Sequence, residues 1–350
     1  MDANMSLNRS RDIREVIEKI ARMEFRPRYP LGVCGDFLEE RLFNMGSLKM
    51  LLHALPSLTG RGNPYPSCCR GLFLEADDGT PLPAVISLKE GEVRPGVVLV
   101  HGFLQAKYCA FYAMLLRLFF ERRGYDVLAF DMRGWGESQH HSDALPTACW
   151  KEAVDIQAAV RYRGGLPQVS SGGVLGYSCG CMSVLRAVSL PPPQQHISGG
   201  ALGLCGAVYD FAAWAEFASD LTDLNNLLLM LRYGIYLPVF LIKGRGRFLT
   251  PVGLMKRTPR LAGMDGKEMS GMGSPGRHIQ DANVPALFFH GEGEPLVPPS
   301  MARRLQEAEQ GNPLVRIEPN PGGHAFFTRA KDWMKTAVRT FFDHWAQGRV

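Results

Sequence analysis

The chain has 350 residues, 46% of them hydrophobic and 21% charged, with a net charge of +5 and a sequence pI near 8.8. That composition excludes a disordered or low-complexity chain and is enough for one large α/β domain with appendages. Met1 to Met23 is charged throughout and lacks the apolar core of a secretory signal, so a cytoplasmic location is expected. Residues 1–66 read as an N-terminal helical extension, in which Ile13, Val16, Ile17 and Ile20 recur at helical spacing between charged residues. A second helical patch runs from Phe37 to Leu55, and Gly60-Arg61-Gly62-Asn63-Pro64-Tyr65-Pro66 reads as a linker. Residues 67–206 read as the first part of a core. It opens with strands over Gly71–Ala76 and Pro83–Leu88 around the turn Asp77-Asp78-Gly79-Thr80. Strand Val97–Val100, a helix near Ala110–Arg122, strand Val127–Phe130 and a helix over Trp150–Tyr162 follow, with Val154, Ala158 and Arg161 on one side of that helix. Next come the apolar run Gly173-Val174-Leu175, a helix over Met182–Val188 and a strand over Gly200–Leu204. Alternating strands and helices predict a parallel sheet covered on both faces, with the site at the carboxyl ends of its strands.

Residues 207–280 interrupt this alternation and read as a cap or lid insertion, rich in aromatics at its start and in glycine and methionine at its end. Between Leu241 and Gln280 eight Lys/Arg stand against two acids, an excess of +6 that leaves the rest of the chain near −1. Such a strip reads either as a solvated basic loop or as a surface for an acidic carrier or an anionic surface; no nucleic-acid partner is expected. The apolar stretch Leu227–Ile242 is interrupted by Arg232 and Pro238 and falls short of the roughly 20 residues a spanning helix needs, so no transmembrane segment is expected. Residues 281–350 complete the core, with strands over Ala286–Phe289 and Val315–Glu318. Cysteines stand at 34, 68, 69, 109, 149, 179, 181 and 205 without the paired spacings of a zinc site, so they read as reduced thiols and no metal is expected.

Chemistry concentrates at Gly176-Tyr177-Ser178-Cys179-Gly180, a serine between spaced glycines at a strand-to-helix junction. A side chain thrust forward on so sharp a bend needs neighbours small enough for backbones to approach closely. Four further motifs occur in order along the chain. Val97–Val100 ends in His101-Gly102-Phe103, and Val127–Phe130 ends in Asp131-Met132-Arg133-Gly134-Trp135-Gly136-Glu137-Ser138. Ala286–Phe289 ends in His290-Gly291-Glu292-Gly293-Glu294-Pro295-Leu296-Val297-Pro298, and Gly322-Gly323-His324 follows the last strand. Serine, acid and histidine in this order resemble the α/β-hydrolase superfamily from about Arg70 onward, apart from the insertion. The run through Tyr112 and Gly124-Tyr125, and the close Gly322-Gly323-His324-Ala325-Phe326-Phe327, are similar to YheT-like serine esterases.

The resemblance implies an α/β-hydrolase fold with a mostly parallel eight-stranded sheet, and hydrolysis of carboxylic esters or thioesters without a cofactor. It makes Ser178 the nucleophile and His324 its base. It places the acid at Glu294, where aspartate is commoner, with Glu292 close enough to compete. Oxyanion donors are expected at the backbone N–H groups of Cys179 and Phe103. His101 reads as a residue that orders its loop, and Asp131, Arg133 and Ser138 as structural. Cys179 stands off the elbow tip, so its thiol is expected to pack against the following helix rather than to react. The alternatives are an acyltransferase or thioesterase using CoA or an acidic carrier protein, and a non-catalytic binding protein on the same scaffold.

Overall fold

The computed structural model describes residues 13–23, 69–102, 105–107, 115, 119, 124–144, 146–147, 149–191, 197, 200–204, 209–210, 213, 275–291, 297, 299–320 and 331–347. The apolar runs become eight strands: β1 (Cys69–Glu75), β2 (Pro81–Ser87), β3 (Arg94–Val100), β4 (Asp126–Phe130), β5 (Val169–Tyr177), β6 (Ala201–Leu204), β7 (Ala286–Gly291) and β8 (Val315–Asn320). They form a single sheet in the order β1-β2-β4-β3-β5-β6-β7-β8. β1 pairs antiparallel with β2, and β2 antiparallel with β4. From β4 through β3, β5, β6 and β7 to β8 the pairings are parallel. The expected fold class is therefore present: an α/β-hydrolase fold on an eight-stranded, mostly parallel sheet.

Both faces of the sheet's central strands are buried, and alternate residues along a strand go to opposite faces. Val98, Val100, Leu128, Phe130, Val174, Ala286 and Phe288 belong to one apolar cluster. Their neighbours Val97, Leu99, Val127, Ala129, Leu175, Leu287 and Phe289 belong to the other. This is why the strands read as continuous apolar runs instead of alternating ones.

The helices divide between those faces. A helical segment over 13–21 (α1) lays Ile13, Val16 and Ile20 on the second cluster, beside Leu115 and Phe119. One turn, α2 (Ser138–His141), follows β4. α3 (Glu152–Gly164) and α4 (Cys179–Ala187) cover the first cluster, together with Leu305 of α5 (Pro299–Glu309). α6 (Lys331–Gln347) returns to the second with Met334, Ala337, Val338, Phe341 and Phe342. Two details depart from the sequence reading. α4 begins at Cys179, three residues before Met182, because Ser178 itself makes the bend. Val154 and Arg161 are half-buried, but Ala158 is buried with most of its helix, since α3 packs on both the sheet and α4.

At the edge opposite the strands' carboxyl ends, Arg163 from the last turn of α3 is buried under β3 and β5. Its guanidinium donates to the carbonyl oxygens of Gly96 and Gly173. A Cβ on Gly96 would lie 2.9 Å from Arg163 Cδ, so glycine is what admits the arginine beneath the strand. Nearby, Asp126 is 1% exposed, accepts one hydrogen bond from Lys89 N at 3.3 Å, and its Oδ2 has no partner among the described residues. Burial pushes its carboxyl up to about 6.

A carboxyl raised in the folded state destabilises the fold progressively as pH rises from about 4, where the unfolded chain ionises, to about 6, and uniformly above that. Asp126→Asn keeps the acceptor for Lys89 and removes the charge. The variant is expected to be more stable than the parent by on the order of 2 kcal/mol at pH 8 and by nearly nothing at pH 3.5. Urea unfolding at the two pH values measures this, and an equal difference at both would contradict it.

Candidate active site

The site begins with backbone geometry. Ser178 has φ 55° and ψ −121°, a conformation rarely adopted outside glycine. It sits where β5 ends and α4 begins, half-buried among buried neighbours. Its N–H donates to the Leu204 carbonyl of β6 at 3.2 Å, and its own carbonyl accepts from Cys181 N at 2.8 Å. These two bonds fix the bend from both sides.

The glycines explain how the bend fits. A Cβ on Gly176 would lie 2.5 Å from the Gly180 carbonyl oxygen. One on Gly180 would lie 2.6 Å from the Val100 carbonyl oxygen and 2.7 Å from that of His101. One on Gly102 would lie 3.1 Å from both Ser178 Cβ and the Tyr177 carbonyl oxygen. The elbow and the loop after β3 are thus in backbone contact, and any side chain would separate them.

That loop is held from beneath by side chains. His101 is buried and its Nε2 accepts from Met132 N at 3.0 Å; its Nδ1 lies 2.8 Å from the Gly102 carbonyl. A backbone N–H can only donate, so Nε2 is the acceptor and the ring proton sits on Nδ1. Burial lowers the pKa of this imidazole, which keeps it neutral. His101 therefore orders its loop, as its position suggested. Gln105 turns the loop back, accepting from Gly102 N through Oε1 at 3.0 Å.

The turn after β4 supplies the rest of the frame. Asp131 accepts from Lys107 N at 2.6 Å, Lys107 Nζ at 2.7 Å and Glu137 N at 2.9 Å. Lys107 Nζ also reaches Glu137 Oε2 at 2.7 Å. Both Asp131 and Lys107 are fully buried, and their mutual charge and hydrogen bonds offset the loss of water. Arg133 ties α3 to the β1–β2 turn, donating from Nε to Asp155 Oδ1 at 3.0 Å and from Nη1 to Asp78 Oδ2 at 2.6 Å. The arginine holds the Asp78 carboxyl well below the usual carboxylate range. Ser138 Oγ donates to the Pro81 carbonyl at 3.1 Å. Asp131, Arg133 and Ser138 are accordingly architectural, as the sequence reading had them.

Cys179 follows Ser178 as the first residue of α4. Its thiol does not settle against the helix alone, as expected. It meets the Cys149 thiol at 3.2 Å, because the loop before α3 brings Cys149 over the helix start. Phe103, Glu292, Glu294 and His324 lie outside the described residues. The flanking strands still bear on them: β7 ends at Gly291 and β8 at Asn320, and both run parallel to β5. The carboxyl ends of β7 and β8 therefore lie at the edge of the sheet at which Ser178 stands.

Sequence reasoning missed Lys107, Gln105 and Cys149. A lysine and a glutamine just past an apolar strand were the available signal for the first two. Nothing in the spacing of Cys149 pointed to Cys179. Among the described residues no group of His, Cys, Asp and Glu is arranged to hold a metal ion, and no helix is long and apolar enough to cross a membrane.

A sequence model described as "Alpha/beta hydrolase family" matches residues 97–336, and the chain belongs to that family. No curated protein sequence matches it. Among solved structures it is similar to the esterase Pf2001 of Pyrococcus furiosus, at 18% identity and a TM-score of 0.56, over 79% of this chain and 93% of that one. It is similar to a 2,6-dihydroxy-pseudo-oxynicotine hydrolase at 18% identity and a TM-score of 0.56, over 80% of this chain and 69% of that one. A third similar structure is the alpha/beta hydrolase GrgF of Penicillium sp. sh18, at 15% identity and a TM-score of 0.53, over 79% of this chain and 99% of that one. At such identities the likeness speaks for the fold.

The elbow contacts make a direct prediction. Gly180→Ala gains helix propensity but forces a methyl against two carbonyl oxygens, so it is expected to lower stability by about 2 kcal/mol. Gly71→Ala, where nothing lies within 4 Å, should change it by no more than about 0.5 kcal/mol. Denaturant titrations of both variants compare the two.

Proposed function

We propose that this chain is a serine hydrolase that cleaves carboxylic esters or thioesters through an acyl-serine intermediate. The observation that carries the reading is Ser178 on its strained bend, in an α/β-hydrolase fold, at the carboxyl edge of the parallel strands. Ser178 is the nucleophile, His324 the base and Glu294 the acid that orients it. His324 takes the Ser178 hydroxyl proton as Oγ attacks the acyl carbon, and the carbonyl oxygen becomes an oxyanion. The N–H groups of Cys179 and Phe103 stabilise that charge. Collapse expels the alcohol or thiol, which takes the proton from His324. A water molecule, deprotonated by His324, then releases the acid and restores Ser178. No cofactor enters these steps.

Residues 207–280 form the lid over this site in the same reading, and the chain works in the cytoplasm. A second reading keeps the machinery but draws the acyl group from CoA or an acidic carrier. It is favoured by the +6 excess between Leu241 and Gln280, residues mostly outside those described.

Full-length protein should react with a fluorophosphonate probe at Ser178, as located by mass spectrometry of the labelled peptide. Ser178→Ala should lose labelling and at least about 10³-fold in ester turnover while unfolding at the parent's midpoint. Labelling at another residue, or none in folded protein, would overturn the assignment.

The acid is tested separately. Glu294→Gln leaves the imidazole without its anionic partner and should lower kcat by roughly 10²-fold or more, whereas Glu292→Gln should cost less than about 10-fold. Steady-state kinetics on a p-nitrophenyl ester decides, and the reverse ranking moves the role to Glu292.

A further inference from the structure

The sulfurs of Cys149 and Cys179 lie 3.2 Å apart, and the Cys149 thiol also donates to the Cys179 carbonyl oxygen at 3.4 Å. The two come from separate parts of the fold, one from the loop before α3 and one from the first position of α4. Both are buried, at 1% and 7% exposure. Cys149 has φ 75°, a conformation an L side chain adopts only at a cost. Thr147, two residues earlier, donates from N and Oγ1 to the buried Glu152 carboxyl at 2.7 and 2.6 Å. Arg186 of α4 stacks its guanidinium 3.2 Å over the Trp150 ring, which places a positive charge beside Cys149. The loop is thus pinned at both sides of Cys149, and the sulfurs face one another across the start of α4.

We propose that Cys149 and Cys179 form a dithiol site that a hydroperoxide converts reversibly to a disulfide, and that this link slows acylation of Ser178. One thiol loses its proton and its sulfur attacks the peroxide. An S–O bond forms, the O–O bond breaks, and hydroxide or alkoxide leaves with the electron pair. The second sulfur, deprotonated in turn, attacks the sulfenic sulfur. The S–S bond forms, the S–O bond breaks, and hydroxide leaves to be protonated. Two thiols and hydrogen peroxide give one disulfide and two waters; the sulfurs lose two electrons and the peroxide gains them. A thiol or phosphine reductant reverses the change. In the resting protein the hydrogen bond with Cys149, and then burial, push the Cys179 thiol well above its ordinary range, so it rests protonated.

The consequence for acylation rests on the serine-hydrolase reading. A disulfide needs its sulfurs about 2.05 Å apart, so roughly 1 Å must be taken up between the Cys149 loop and the helix start at Cys179. Its neighbours leave little slack, since Gly180 already packs against the carbonyls of Val100 and His101. Misplacing catalytic groups by about 1 Å costs on the order of 10²-fold.

The test treats the full chain with hydrogen peroxide, blocks remaining thiols with N-ethylmaleimide, and maps the digest by mass spectrometry. A crosslinked peptide joining Cys149 to Cys179, two hydrogens lighter, is expected. Fluorophosphonate labelling of Ser178 should slow about 10²-fold and return after phosphine reduction. Cys149→Ser retains a donor toward the Cys179 carbonyl and should label at the parent's rate before and after peroxide. Should that variant not fold, reversal by phosphine in the parent chain carries the same information. Absence of this link, a link to Cys181 or another cysteine instead, or a link that leaves labelling unchanged overturns the proposal. A reduced chain that never takes the probe would strike the hydrolase reading alone, because the mass map reports the dithiol independently.

Discussion

The backbone contact between the bend at Ser178 and the loop after β3 is the constraint on which the rest of the site depends. A residue at φ 55° costs on the order of 1–3 kcal/mol, and it persists only where surroundings over-determine it. Here β6 supplies an acceptor for the Ser178 N–H, α4 supplies a donor for its carbonyl, and Gly102, Gly176 and Gly180 let three segments touch without side chains between them. The sheet's parallel order brings β3, β5 and β6 side by side, so the bend draws on elements far apart in the chain.

Beneath this contact the chain buries charge, and it does so in satisfied sets. Asp131 collects two backbone or side-chain donors from Lys107 and a third from Glu137, while Arg133 spans Asp155 and Asp78. Removing one partner from such a set leaves an ion without water or counter-charge, a loss of about 3–5 kcal/mol. The effect is to join the loops after β3 and β4 into one unit. His101 completes it as a neutral ring bridging Met132 and Gly102.

Much of this was legible in the amino-acid order. Val97–Val100, Val127–Phe130 and Ala286–Phe289 announce themselves because a strand covered on both faces has no polar side to break the run. The elbow was legible because its steric demand falls on adjacent residues, Gly176 to Gly180. The architectural role of Asp131 and Arg133 was legible from their turn. Contacts between distant residues were not. The meeting of Cys149 with Cys179, and of Lys107 with Asp131, depends on how loops from different strands fall at one edge, and local spacing carries no trace of that. The start of α4 was misjudged because the sharp bend, rather than helix propensity, sets where the helix begins.

β1 and β2 lie outside residues 97–336, yet they complete one side of the sheet through antiparallel pairing to β4. Were the polypeptide trimmed to the family's own boundaries, β4 would present a bare row of amide and carbonyl groups in place of a neighbour. Such a rim invites strands from other molecules. The shortest form of this protein that stays dispersed in solution is therefore longer than its kinship suggests. It includes α1 as well, because Ile13, Val16 and Ile20 shield apolar surface that water would otherwise reach.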